Sequence, residues 1–267
     1  MAVKSNASDK QTVREFTLKI GPVLCGVELV NPTLAQLSAI GYNFQNEPEY
    51  NTLDDKEGHE KVRLDFYLVN STLGFRQKVT FFLENKERSN KDGDKFEFIN
   101  NQAQSTWGTS VEEVVAKVGK NGNTWFAPEG AKKALIGEVS LYNFIKTWAN
   151  VEPKEECVLD NIKAVFKGNF KELQGLVKML ADNTLWVMAE VSTKDNKSYQ
   201  SVNNQYFGRA TSKLFANNFA KFAADQKASG YPLKNIWGTE FKDYIAKPVV
   251  ADAESQPAGT DIKNVDF

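Results

Sequence analysis

Between Lys61 and Trp107 cations and rings are interleaved along the chain: Arg63, Arg76, Lys78, Lys86, Arg88, Lys91 and Lys95 with Tyr67, Phe82, Phe98 and Trp107. Cations pair with phosphates and flat rings stack under bases, so this mixture is what sequence-tolerant binding of a single nucleic-acid strand requires. A plainer account also fits, in which the rings fill a strand core and the charges coat a solvated face. Six basic and five acidic residues fall between Phe75 and Phe98, so the patch is mixed in sign.

Other chemistry-bearing groups are sparse. The stretch from Glu47 to Glu60 holds Glu47, Glu49, Asp54, Asp55, Glu57 and Glu60. It lacks the spacing of a calcium-binding EF-hand and reads as a solvated loop. The single histidine, His59, sits in that polar stretch, and Cys25 and Cys157 each lie in apolar runs as small buried hydrophobes. No zinc site can be assembled from them, and neither a metal nor a cofactor is expected. There is no GxxxxGK(S/T) phosphate loop and no GxSxG elbow, and Gly119, Gly122 and Gly130 read as turn glycines. No catalytic residue stands out, and the chain is expected not to be an enzyme. The enzymatic rival is a nuclease using acids such as Asp65 or Asp92.

Composition bounds the class. The 267 residues are 41% hydrophobic, 25% charged and 12% aromatic, with 18 Phe, which fits a globular chain with a substantial core. No window approaches a transmembrane span, and the polar start from Met1 to Gln11 argues against a signal peptide. The net charge of -1 hides a division. From Val250 onward, Asp252, Glu254, Asp261 and Asp266 face only Lys263, so the body before it is slightly positive. Any field for nucleic acid must then come from a local patch. That tail has too few apolar residues to offset its ordering entropy and reads as disordered. Its end, Asp266-Phe267, offers carboxylates and a ring to a partner's apolar, basic-edged pocket; the same arm could instead lie over the protein's own cationic groove, or serve only as a solubilising end.

The elements that must position these groups read as strands at Val13–Lys19 and Val23–Val30, with a turn at Gly21-Pro22. A short helix follows over Thr33–Ile40, capped by Asn31 or Thr33, and then a long loop from Tyr42 to Glu60. Val62, Leu64, Phe66 and Leu68 alternate with Arg63, Asp65, Tyr67 and Val69, the clearest strand pattern in the chain. Phe75–Glu84 pairs with it, Asn85–Asp94 is a mobile hairpin tip turning at Asp92-Gly93, and Lys95–Asn100 returns as a further strand of the meander. The chain is loop-like from Asn101 to Trp107-Gly108. Helices are predicted at Val111–Lys117, Leu141–Trp148, Asn169–Ala181 and Ser212–Asp225, with strands at Leu185–Val191 and Lys197–Phe207. Asp160–Gly168 has no decisive period.

Three stretches, FRQKVTFFLENKERSNKDGDKFEFINNQAQSTW, ALIGEVSLYNFIKTWANV and NKSYQSVNNQYFGR, together resemble the single-stranded DNA-binding proteins of tailed bacteriophages, of the crAss-like and related large-phage type. The end ESQPAGTDIKNVDF resembles the acidic tail with which such proteins recruit replication enzymes. The resemblance implies an OB-type β-barrel with helical insertions. It points to Lys78, Lys86, Arg88 and Lys95 around a groove, to Trp107, Tyr199, Tyr206 and Arg209 as stacking or phosphate contacts, and to Asp261, Asp266 and Phe267 as the partner-binding tip. Two departures stand out. The zinc ligands of the T4-type relative are missing here, and the tail is less acidic than in bacterial and T7-like members.

The expectation is a mixed β-rich (α+β) fold, an OB-like β-barrel with inserted helices. Residues 1–12 would be a flexible start, 13–249 the nucleic-acid-binding domain and 250–267 a disordered acidic tail. The chain would coat single-stranded DNA in replication, recombination and repair, without strong sequence preference. DNA polymerase, helicase or primase would engage its tail, in the cytoplasm of the host cell. The principal alternative is a virion or host-interaction structural protein.

Overall fold

The computed structural model describes residues 17–54, 59–152, 154–157, 170–194, 197–212 and 242–245. The expected helix over Ser212–Asp225, the ambiguous segment Asp160–Gly168 and the tail 250–267 lie outside them, apart from Ser212. The fold is a β-rich α+β arrangement of antiparallel sheets. The larger sheet runs in the order β10 (Lys197–Arg209), β9 (Thr184–Lys194), β1 (Thr17–Val30), β3 (His59–Asn70), β4 (Phe75–Glu87), β8 (Leu135–Ile136). Beside this path, β2 (Asn51–Asp54) pairs with β3 and β11 (Lys242–Ile245) with β1. A smaller sheet orders β6 (Ser105–Gly108), β5 (Phe96–Ile99) and β7 (Lys132–Lys133).

Alternation in β3 and β4 sets the two faces. Val62, Leu64, Phe66 and Leu68 point inward beside Phe75, Val79, Phe81 and Leu83, all of them buried. The register puts Leu64 opposite Phe81 and Phe66 opposite Val79, so the inner rows interlock across the ladder. Helix α3 (Glu138–Trp148) packs onto this inner face, with Leu141, Phe144, Ile145 and Trp148 buried. Phe144 is the hub: its ring centroid lies 4.8 Å from Phe66, 5.1 Å from Phe81 and 4.9 Å from Phe207. Phe81 and Phe207 also meet at 6.4 Å, although their strands are separated in the sheet by β3, β1 and β9. The sheet therefore curls strongly, as twisted antiparallel sheets do. Neither sheet closes on itself among the described residues.

Gly137 starts α3 at φ +81, and a Cβ there would lie 1.9 Å from the Phe82 carbonyl oxygen. Only glycine allows the helix to approach β4 this closely. Glu138, fully buried, accepts from the Leu135 N–H at 2.8 Å and meets Lys132 Nζ at 2.6 Å, placing negative charge at the helix start. Helix α1 (Leu34–Ala39) has Thr33 as its cap, with Thr33 and Gln36 forming a capping box. Helix α2 (Val111–Ala116) is capped by Ser110 and contributes Val114 to a second small core with Phe98 and Phe126. Helix α4 (Lys171–Met179) buries Leu173.

Four expectations about the elements are corrected. Gly21-Pro22 is no turn: β1 runs unbroken, with Gly21 opposite Ala189 and Pro22 opposite Met188. Proline is tolerated because the β3 side of β1 begins pairing only at Gly26. The Tyr42–Glu60 loop contains β2, and His59 opens β3 opposite Asp54. Strand β5 leaves the meander for the smaller sheet, where it pairs with β6, so Trp107-Gly108 is strand. The hairpin tip is shorter than expected, since β4 continues to Glu87 and the turn is confined to Lys91–Asp94. No helix among the described residues is long and apolar enough to cross a membrane.

Candidate nucleic-acid interface

The outer face of the β3–β4 ladder carries the side chains left over by the inward rows. Lys61 stands opposite Glu84, Arg63 opposite Phe82, Asp65 opposite Thr80, Tyr67 opposite Lys78 and Val69 opposite Arg76. Three of the expected cations, Arg63, Lys78 and Arg76, therefore share one surface with Lys61, but their charges are largely matched in place. Lys61 Nζ lies 3.2 Å from Glu84, Arg63 Nη2 3.0 Å from Asp65 and Lys78 Nζ 3.4 Å from the same Asp65 oxygen. Arg76 is committed further. It meets both Glu28 oxygens, at 2.9 and 3.1 Å, and donates to the Ile40 carbonyl at 2.8 Å, so it ties β4 to β1 and to the end of α1.

The segment after α1 covers part of this face. Tyr42 meets Tyr67 edge-on at 5.3 Å and stacks with Phe44, while Tyr50 donates from its hydroxyl to the Pro32 carbonyl at 2.6 Å. Tyr67 is consequently 2% exposed and unable to meet a base. Burial pushes the phenols of Tyr42, Tyr50 and Tyr67 up, and for Tyr50 and Tyr67 the Asp65 carboxylate pushes the same way. All three stay protonated through the neutral range. Glu47 is used structurally, since both its oxygens accept from Leu34 N–H, at 3.1 and 3.2 Å, at the start of α1.

Beyond Phe82, which is 58% exposed, β4 rises into a second group. The Arg88 guanidinium lies 5.8 Å from the ring centroid of Trp107, itself 36% exposed, and its Nε is 3.3 Å from Glu97. The backbone fixes this corner, because the Arg88 N–H donates to the Ala134 carbonyl and the Arg88 carbonyl accepts from the Glu97 N–H, joining β4 to the smaller sheet. Lys86, Lys91 and Lys95 are exposed nearby in sequence on the same hairpin, together with Glu87, Asp92 and Asp94. Phe98 departs from expectation. It is 1% exposed, packed with Val114 and Phe126, because β5 turns that side toward α2; it is core and not a stacking surface.

The residues of the C-terminal third are dispersed. Tyr199 lies half-buried on β10 opposite Ser192, and Tyr206 falls in the irregular stretch of β10 between Val202 and Phe207, its side chain outside the described residues. Arg209 ends β10 with Nη1 2.5 Å from Glu152. Asp261, Asp266 and Phe267 lie outside the described residues.

Two residues with clear roles at this surface were not legible as such. Trp125 is 67% exposed, and its indole covers Gly119, where a Cβ would come within 2.3 Å of Nε1. Its backbone N–H donates to the Lys117 carbonyl, and the Lys117 amine in turn reaches the Trp107 carbonyl. Lys133 Nζ sits 3.6 Å above the Phe96 ring and 2.7 Å from Glu87. A ring beside Phe126 in a polar, glycine-rich loop is the sequence sign of Trp125. Asp65, one acid of the nuclease reading, is spent on Arg63, Lys78 and the Thr80 hydroxyl. No group of three or more His, Cys, Asp or Glu side chains among the described residues is arranged to hold a metal ion.

Compared with known proteins, the chain matches no family model, no curated protein and no solved structure.

Proposed function

We propose that this protein binds single-stranded DNA without strong sequence preference, with the Arg88–Trp107 corner as the centre of contact. The observation that carries the reading is the partly exposed Trp107 ring with a guanidinium beside it, on a hairpin that also presents Lys86, Lys91 and Lys95. A base stacked on such a ring contributes about 1–3 kcal/mol, and the flanking cations contact the phosphates on either side. Phe82 on β4 and Trp125 in the loop after α2 are further exposed rings that bases could meet. An OB-like barrel is the fold this function expects, and the approach of β10 to β4 around Phe144 supports it. The acidic tail, residues 250–267, would engage DNA polymerase, helicase or primase in the host-cell cytoplasm.

The pairing of Lys61, Arg63, Lys78 and Arg76 with carboxylates favours the alternative, a structural protein of a virion or of host contact. Tryptophan fluorescence separates the two. Titration with oligothymidine should quench the emission of exposed indoles by stacking. Unchanged emission at saturating oligonucleotide, together with a stable symmetric assembly, selects the structural reading.

A further inference from the structure

A cleft of about 440 Å3 opens between the second half of α3, the turn before β6 and the end of β10. That volume suits a small ligand and is several times what a bare anion needs. Its lining carries positive charge, with carboxylates beside it, Glu152 on Arg209 and Glu155 acting on Lys146. Among the described residues that line it, Lys146 and Arg209 are cations, and none is a carboxylate. The Lys146 amine donates to the Gln102 carbonyl, and burial pulls its pKa down, with the Arg209 charge acting the same way and Cys157 and Glu155 acting against it. Arg209 is held from the rim by Glu152, which is 60% exposed. Two cations lining one cleft gain together from one anion placed between them.

The remaining walls favour an organic body attached to that anion. Gln104 commits its amide oxygen to Asn100 Nδ2 and to the Ala127 N–H, both at 2.9 Å, which leaves its NH2 as the uncommitted half among the described residues. Asn143 adds a second amide to the lining, and Phe207, whose ring also packs on Phe144, borders it. Amides that read donor and acceptor edges, a ring and a cation pair are the parts of a nucleotide site.

We propose that this cleft binds the phosphate monoester of a nucleotide, with the phosphate between Lys146 and Arg209 and the base toward Gln104 and Phe207. The cleft's lining shares no residue with the Arg88–Trp107 corner. A free mononucleotide and the 5′-phosphorylated end of a strand offer the same group.

The test is calorimetric titration of the full chain, in phosphate-free buffer, with thymidine 5′-monophosphate, thymidine and inorganic phosphate. Binding of the monophosphate with a lesser response to phosphate and none to thymidine is expected, weakened about tenfold or more by Lys146→Gln. A readout that needs no variant accompanies it: acetic anhydride labelling of Lys146, followed by mass spectrometry, should be slowed by the monophosphate. A tighter response to a 5′-phosphorylated than to a 5′-hydroxyl oligonucleotide makes the strand end the source, and equal responses leave the free nucleotide. Absence of both heat and protection at about 10 mM monophosphate, or undiminished binding by a folded Lys146→Gln protein, overturns the proposal.

Discussion

Asp65 is the balance point of the outer face, and Asp65→Asn tests whether that face meets DNA. The side chain is 1% exposed and receives Arg63 at 3.0 Å, Lys78 at 3.4 Å and the Thr80 hydroxyl at 2.8 Å. Removing one partner of a fully buried ion pair costs about 3–5 kcal/mol. Here the loss should be smaller, because Arg63 and Lys78 retain 34% and 23% of their side-chain exposure and asparagine keeps an oxygen for Thr80. A destabilisation of about 1–3 kcal/mol is expected in urea denaturation. Binding should move the opposite way. Two cations released to phosphates add about two released counterions, steepening the dependence of log affinity on log salt by about 1.4 for a single strand. The assay is anisotropy of a labelled oligonucleotide across a salt series, with the parent and the variant side by side. Weaker folding with an unchanged slope refutes the placing of Arg63 and Lys78 at the interface.

Three further outcomes follow from the geometry. Phe144→Ala should cost about 3–5 kcal/mol, since it removes the ring that meets Phe66, Phe81 and Phe207, and a calorimetric loss below about 1 kcal/mol would contradict its role as hub. Gly137→Ala should destabilise by about 1–3 kcal/mol or more, because the new Cβ meets backbone, the Phe82 carbonyl, at a positive φ; thermal melts give the answer. The Glu113 carboxyl is held down to about 2 by the backbone N–H and hydroxyl of Thr109, at 2.6 and 2.7 Å. Its contribution to α2 is therefore complete above the ordinary value of 4.5 and is lost as pH falls toward 2. Carboxyl NMR titration should show that midpoint, moving upward in Thr109→Val.

Local pattern carried much of this architecture. The strict alternation from Val62 to Val69 determined which side chains of β3 face inward, and the apolar stripe of Leu141, Phe144, Ile145 and Trp148 determined the buried face of α3. Contacts between distant segments were not legible. Tyr67 alternates with core residues and so reads as an outward ring, yet Tyr42 covers it. Phe98 reads as a groove ring for the same reason, yet α2 buries it. Arg76 has the sequence of a phosphate contact and the geometry of a clamp on Glu28 and Ile40. Gly21-Pro22 signals a turn by composition, but the ladder to β9 outweighs it and β3 pairing starts beyond it. At the candidate site, residue types were readable and their ion-pair partners were not, because the partners come from other strands.

The most direct test of the strand-binding proposal is fluorescence anisotropy of a mixed-sequence oligonucleotide, single-stranded and duplex, at two salt concentrations, with the full chain and with Trp107→Ala. The account predicts salt-sensitive binding of the single strand in preference to the duplex, weakened about 5- to 150-fold in the variant by the loss of one stacked base. Equal affinity of the parent and Trp107→Ala proteins, or no binding by either, would contradict it.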